Sequence, residues 1–151
     1  MSHHQWLTSL ELNTLFTHLY KAYPDLLSST NWDNGNFEEI CGDITSRIAR
    51  FLRKKGVEAH ALEGKYNGRG CLRGGTYHCW VELWVTLLGR DMTIIIDGAY
   101  AQFCPMKTPS IVKDMVRLTI FYDDKEAQEW YEGTIWKNEE EKLCRIKKVK
   151  P

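Results

Sequence analysis

The sequence has no surplus of charge of either sign: 20 lysines and arginines stand against 20 aspartates and glutamates. Nothing global therefore points to nucleic acid or to an anionic membrane as a partner. No apolar run approaches the roughly 20 residues of a membrane span. The opening residues "MSHHQWLTSLEL" lack the basic start and the long apolar run of a secretory signal, so a reducing, cytosolic compartment is expected. C-x-x-C spacing is missing among Cys41, Cys71, Cys79, Cys104 and Cys144. Five is also an odd number, so a disulfide framework would leave a thiol over. Five reduced cysteines, no structural zinc and no cofactor are the expectation. The glycine-rich "NGRGCLRGGT" lacks the Lys-Ser/Thr ending of a phosphate loop and opens no helix. Linkers, repeats and low-complexity blocks are absent as well, and residues 1–151 read as a single domain.

Apolar spacing supplies the elements. Leu10, Leu15, Phe16 and Leu19 predict a helix capped by Thr8 or Ser9 and stopped by Pro24. "SSTNWDNGN" is loop chemistry. In "CGDITSRIARFLRKKG", Ile44, Ile48, Phe51 and Leu52 form one apolar face. Arg47, Arg50, Arg53, Lys54 and Lys55 make a solvated face and a last turn that suits the dipole, and Gly56 ends it. Strands are expected in "VEAHALEGKY", "YHCWVELWV", "MTIIID" and "VRLTIFY". "DKEAQEWYEG" reads as a short helix and "KLCRIKKV" as a last strand or tail. Helices followed by mostly antiparallel strands make an α+β protein.

The stretch "TYHCWVELW" raises the question of function. With period two, one face carries Tyr77, Cys79, Val81 and Leu83, and the other His78, Trp80, Glu82 and Trp84. A histidine and a carboxylate among tryptophans mark a partly wet face or a site. Asp97, ending the apolar "MTIIID", shares the face of His78 if the two strands form a hairpin. A loop from Thr86 to Gly89 sets the two residues opposite each other. A tight turn at Gly89-Arg90 separates them by about 13 Å along the strand. The expected register lies within one two-residue step of direct pairing. Cys41 supplies a thiol. At the first turn of the basic helix it would be acidified by free N–H groups and the dipole. Alternatively Asn36 caps a longer helix, with Glu39 completing a capping box, and Cys41 becomes a small core residue of its second turn. A thiol, an imidazole to take its proton and a carboxylate to fix the imidazole form a nucleophilic triad.

"CGDITSRIARFLRKKGVEAHALEG", then "HCWVELW", then "IIIDGAYAQF", from about residue 41 to 103, resembles the bacterial transglutaminase-like superfamily within the papain-like thiol enzymes. That resemblance implies a transglutaminase-like / papain-like fold, with the nucleophile helix starting at Cys41 and packed on an antiparallel sheet. Its catalytic residues would be Cys41 as nucleophile, His78 as base and Asp97 as orienting acid. The substrate would be an amide of a peptide or protein, attacked to give an acyl-thioester that water or an amine resolves. A small cysteine protease and a non-catalytic binding module on the same fold are the alternatives. Gly42 departs from the Trp that follows the cysteine in animal-type members. The backbone N–H of Cys41 would be one oxyanion donor, and Trp32 or Asn36 are candidates for the other. Trp80 and Trp84 would wall the cleft or pack as core, with Glu82 at the rim. Tyr100, Gln102 and Phe103 would line the mouth. Cys71, Arg69 and Arg73 sit in a loop that closes over substrate or merely connects.

Overall fold

The computed structural model describes residues 4–28, 30, 37–68, 76–100 and 116–136. They form an α+β arrangement of three helices and a six-stranded sheet. The strands are β1 (Gln5–Trp6), β2 (His60–Tyr66), β3 (Thr76–Leu87), β4 (Arg90–Asp97), β5 (Arg117–Phe121) and β6 (Tyr131–Ile135). The helices are α1 (Ser9–Ser28), α2 (Phe37–Lys54) and α3 (Asp124–Trp130). The sheet runs β5-β4-β3-β2-β6 with antiparallel neighbours. Short β1 continues the β2 edge of β3 in parallel, Gln5 opposite Val85.

Thr8 and Glu11 start α1 as a reciprocal capping box. The Glu11 N–H donates to Thr8 Oγ1 at 3.1 Å, and the Thr8 N–H to Glu11 Oε1 at 3.0 Å. Pro24 does not stop this helix, which continues to Ser28. Proline removes one N–H, and the carbonyl left over belongs to Tyr20, which is itself half-exposed and within reach of water. The turns around it are held from outside: Tyr23 and Leu27 are buried, and the Tyr23 hydroxyl donates to the Gly98 carbonyl at 2.5 Å. Tertiary anchoring overrides the local breaker.

α2 begins at Phe37, not at Cys41, so Cys41 lies in its second turn. The longer-helix alternative is the one observed, while its proposed cap, Asn36, falls outside the described residues. Ile44, Ile48 and Leu52 are wholly buried, and Gly56, with φ 90°, closes the helix.

β3 and β4 are joined by Leu88 and Gly89, with Leu87 opposite Arg90. The register lies between the two considered from sequence, one two-residue step from setting His78 opposite Asp97. β4 is buried on both faces, which explains its unbroken apolar run. On one face of the sheet, Val81, Leu83, Ile94 and Ile96 pack with α1 and α2. On the other, Leu62, Trp80, Ile95, Phe121 and Tyr131 pack with Ala127 of α3. The short helix expected over "DKEAQEWYEG" stops at Trp130, and Tyr131–Ile135 forms β6 instead, paired with β2, Tyr131 opposite Tyr66. The last strand expected at "KLCRIKKV" lies outside the described residues.

Candidate active site

Asp97 ends β4 with no exposed surface. Extrapolating the register sets Trp80 across from it, so His78 is its diagonal neighbour on the same face. The imidazole spans that diagonal, with Nε2 standing 2.8 Å from both carboxylate oxygens. A carboxylate only accepts, so Nε2 carries the proton and Nδ1 is the basic nitrogen of the neutral ring. The Ala99 N–H donates to Oδ1 at 3.1 Å and the Tyr131 hydroxyl to Oδ2 at 2.8 Å. Around His78 stand aromatic rings: Trp80 stacked at 6.2 Å, with Tyr66 and Tyr131 tilted at 6.1 and 6.5 Å. Burial of a charge is costly unless hydrogen-bonded partners replace water, and here three donors do so.

The other carboxylate on this face is explained in the same way. Glu82 is buried and takes the indole N–H of Trp80 on Oε2 at 2.8 Å and that of Trp84 on Oε1 at 2.9 Å. It is therefore not a rim residue: it satisfies two tryptophans that period two places beside it. Burial pushes its carboxyl up, and the two indole bonds oppose that shift. Trp80 is core, while Trp84 stacks on His60 at 4.0 Å.

Cys41 belongs to the opposite face. It is 2% exposed and clusters with Cys79, Val81 and Leu83, the residues of β3 that point toward α2. The Cys41 and Cys79 thiols share a hydrogen bond, and Cys79 is the residue after His78. That bond, then burial, pushes the Cys41 thiol up, with the charge of Asp97 adding in the same sense. An acidified thiol at a helix start is thus not what is found. Cys79 shifts down instead, chiefly through its hydrogen bond with Cys41, with Tyr77 Oη also 3.6 Å away. The chain brings His78 and Asp97 together and lays Cys41 against the neighbouring residue of the same strand. Gly98 lies directly beneath α2: a Cβ there would stand 2.4 Å from Ile48 Cδ1 and 3.0 Å from Ile44 Cγ1, so those side chains would have to shift.

Tyr100 is buried on the His78 face, its ring edge-on to that of Tyr66 at 6.0 Å. Trp32, Asn36, Arg69, Cys71, Arg73, Gln102 and Phe103 lie outside the described residues. Tyr131 escaped the sequence reading. It lay inside the stretch "DKEAQEWYEG" expected to be helical, and the signal for its strand is the alternation of "YEGTIW" directly after the seven-residue α3. A cleft of about 240 Å³ between β5, α3 and β6 opens on the dyad side, with Tyr66 and Tyr131 in its lining. Among the described residues no group of three or more His, Cys, Asp or Glu side chains could hold a metal ion, and no helix is long and apolar enough to cross a membrane.

Compared with protein-family models, with curated proteins and with solved structures, the chain matches none. The likeness to the transglutaminase-like superfamily rests on the residues quoted for it.

Proposed function

We propose that the protein is a transglutaminase-like thiol enzyme that transfers acyl groups from amides of a peptide or protein, acting in the cytosol. The observation that carries this reading is the buried His78–Asp97 pair, bonded at 2.8 Å on adjoining strands. Asp97 holds the imidazole as the Nε2–H tautomer, leaving Nδ1 to take the thiol proton. Cys41, on the helix packed against the same strand, is the nucleophile. Its sulfur attacks the amide carbonyl, the imidazolium returns the proton to the leaving amine, and an acyl-thioester remains. Water resolves it in hydrolysis or deamidation, and an amine in cross-linking. A small cysteine protease would use the same steps on a peptide bond. For any of these, the Cys41 thiol must leave its bond to Cys79 and meet a His78 ring brought round from the other face of β3, because the two side chains stand on opposite faces of the sheet.

A second reading, a binding module on the same fold without turnover, is favoured by that same bond and by the burial of Cys41. Site-resolved iodoacetamide labelling from pH 4 to 9 separates the two. For an enzyme, Cys41 labels substantially at pH 6, where ordinary thiols are protonated, and His78→Ala removes that advantage. Asp97→Asn keeps the fold and slows acylation by orders of magnitude. If Cys41 labels no faster than Cys104 or Cys144 and His78→Ala changes nothing, the acyl-transfer reading fails and the binding module stands.

A further inference from the structure

The third donor to Asp97 is left over by the proposed chemistry. Tyr131 opens β6 at the far edge of the sheet, with β3 and β2 lying between it and β4. Its hydroxyl nevertheless reaches Asp97 Oδ2 at 2.8 Å. The reach has a visible cause two residues along. Gly133 pairs with Gly64. A Cβ at Gly133 would stand 2.5 Å from the Trp80 ring, and one at Gly64 would stand 2.1 Å from the Glu132 carbonyl. Bare backbone at both positions lets the indole press against β6 and draws the edge strand in over the aromatic face.

The phenol is 4% exposed and packs against Trp80 at 5.0 Å and Tyr66 at 4.9 Å, so it has little freedom to turn away. The groups that face it are Asp97 from β4, His78 from β3, Tyr66 from β2 and Arg117 from β5. Burial, then the charge of Asp97, pushes the phenol up, and Arg117 only partly offsets this. Tyr131 therefore stays protonated, a donor, across the neutral range.

We infer that Tyr131 is a positioning residue for His78: by bonding one oxygen of Asp97 it fixes the carboxylate in the plane that receives Nε2–H, and so holds the imidazole in the tautomer whose Nδ1 is basic. Without that bond the carboxylate is tied, among the described residues, by the Ala99 N–H and by His78 itself, and it can rotate in its pocket. The inference rests on the reading of His78 as a base, and it extends that reading to a strand outside the quoted motifs.

The test uses the full chain with Tyr131→Phe, and with Tyr66→Phe as a control that takes a hydroxyl from the same ring cluster. Nitrogen NMR of ¹⁵N-histidine-labelled protein, with the signals assigned through His78→Ala, reports the tautomer directly. Wild type and Tyr66→Phe are expected to show the Nε2–H form alone. Tyr131→Phe is expected to show a mixture with Nδ1–H and to label Cys41 at pH 6 roughly tenfold more slowly, the cost of one charge-assisted hydrogen bond. A purely structural tyrosine would lower the melting temperature and leave the tautomer alone, and that result overturns the inference. If wild-type Cys41 labels no faster than the other thiols, the acyl-transfer reading falls, while the tautomer still decides the role of Tyr131.

Discussion

The two faces of the sheet are built on different physics, and β3 carries both. Cys79, Val81, Leu83 and Val85 point to the helices, where aliphatic side chains from α1, α2 and β4 fill the space. His78, Trp80 and Glu82, interleaved with them, point to a face of rings and buried carboxylates. The helix face is held by burial of apolar area and by close packing. The ring face depends on each polar atom finding its donor: Asp97 from His78, Tyr131 and Ala99, and Glu82 from Trp80 and Trp84. A fault on the first face is a cavity, whereas a fault on the second is an unsatisfied charge or donor.

The sharpest way to break this contrast is Asp97→Ala. It strips His78, Tyr131 and the Ala99 N–H of a common acceptor at a buried site, and it should cost about 3–5 kcal/mol. Urea unfolding measures it, and a loss below about 1 kcal/mol would show that water replaces the carboxylate. Its neighbour Ile96 is equally buried but faces α2. Ile96→Ala should cost about 2–4 kcal/mol through the cavity it leaves, without altering the His78 tautomer seen by NMR. A changed tautomer would mean that the faces are coupled.

Glu82→Gln has a smaller effect with a distinct pH signature. Burial holds the folded-state pKa of Glu82 above its ordinary value of 4.5. Between those two values the folded state binds more protons than the unfolded, so the contribution of Glu82 to stability falls as pH rises from 4.5 through the folded-state value. Melting temperatures of wild type and Glu82→Gln should therefore draw together, or cross in favour of the variant, as pH rises through that window. Parallel curves would contradict the assignment. The smallest effect is expected outside both faces. Leu88 has φ 51° and is 89% exposed, so it holds a strained turn conformation without any packing return. Leu88→Asn should stabilise by about 0.5–1 kcal/mol in thermal melts.

Much of this contrast was legible in the sequence, because alternation in a strand assigns faces. "HCWVELW" separates His78 from Cys79, and the uninterrupted "MTIIID" marks a strand covered on both sides. The shared face of His78 and Asp97 followed from parity under any of the hairpin registers considered. The register itself was less legible, because Leu88 gives no hint of a left-handed turn residue. Pro24 misled because a buried Tyr23 and its bond to Gly98 outweigh a local breaker. The surroundings of Cys41 depend on how α2 docks on β3, over a separation that no local pattern encodes. Tyr131 was hidden because no glycine or proline separates its short strand from α3.

The long route by which Tyr131 reaches Asp97 also has a kinetic meaning. β3 and β4 meet across a two-residue turn, so the His78–Asp97 bond needs only a small loop to close. β6 must find β2 across the whole intervening chain, a closure whose entropy is lost late in assembly. The phenol's bond to the carboxylate should then be absent from the folding transition state. Tyr131→Phe should leave the refolding rate nearly unchanged and speed unfolding, whereas a cut in the β3–β4 hairpin should slow refolding. The last hydrogen bond of the site would thus serve as the latch against its opening.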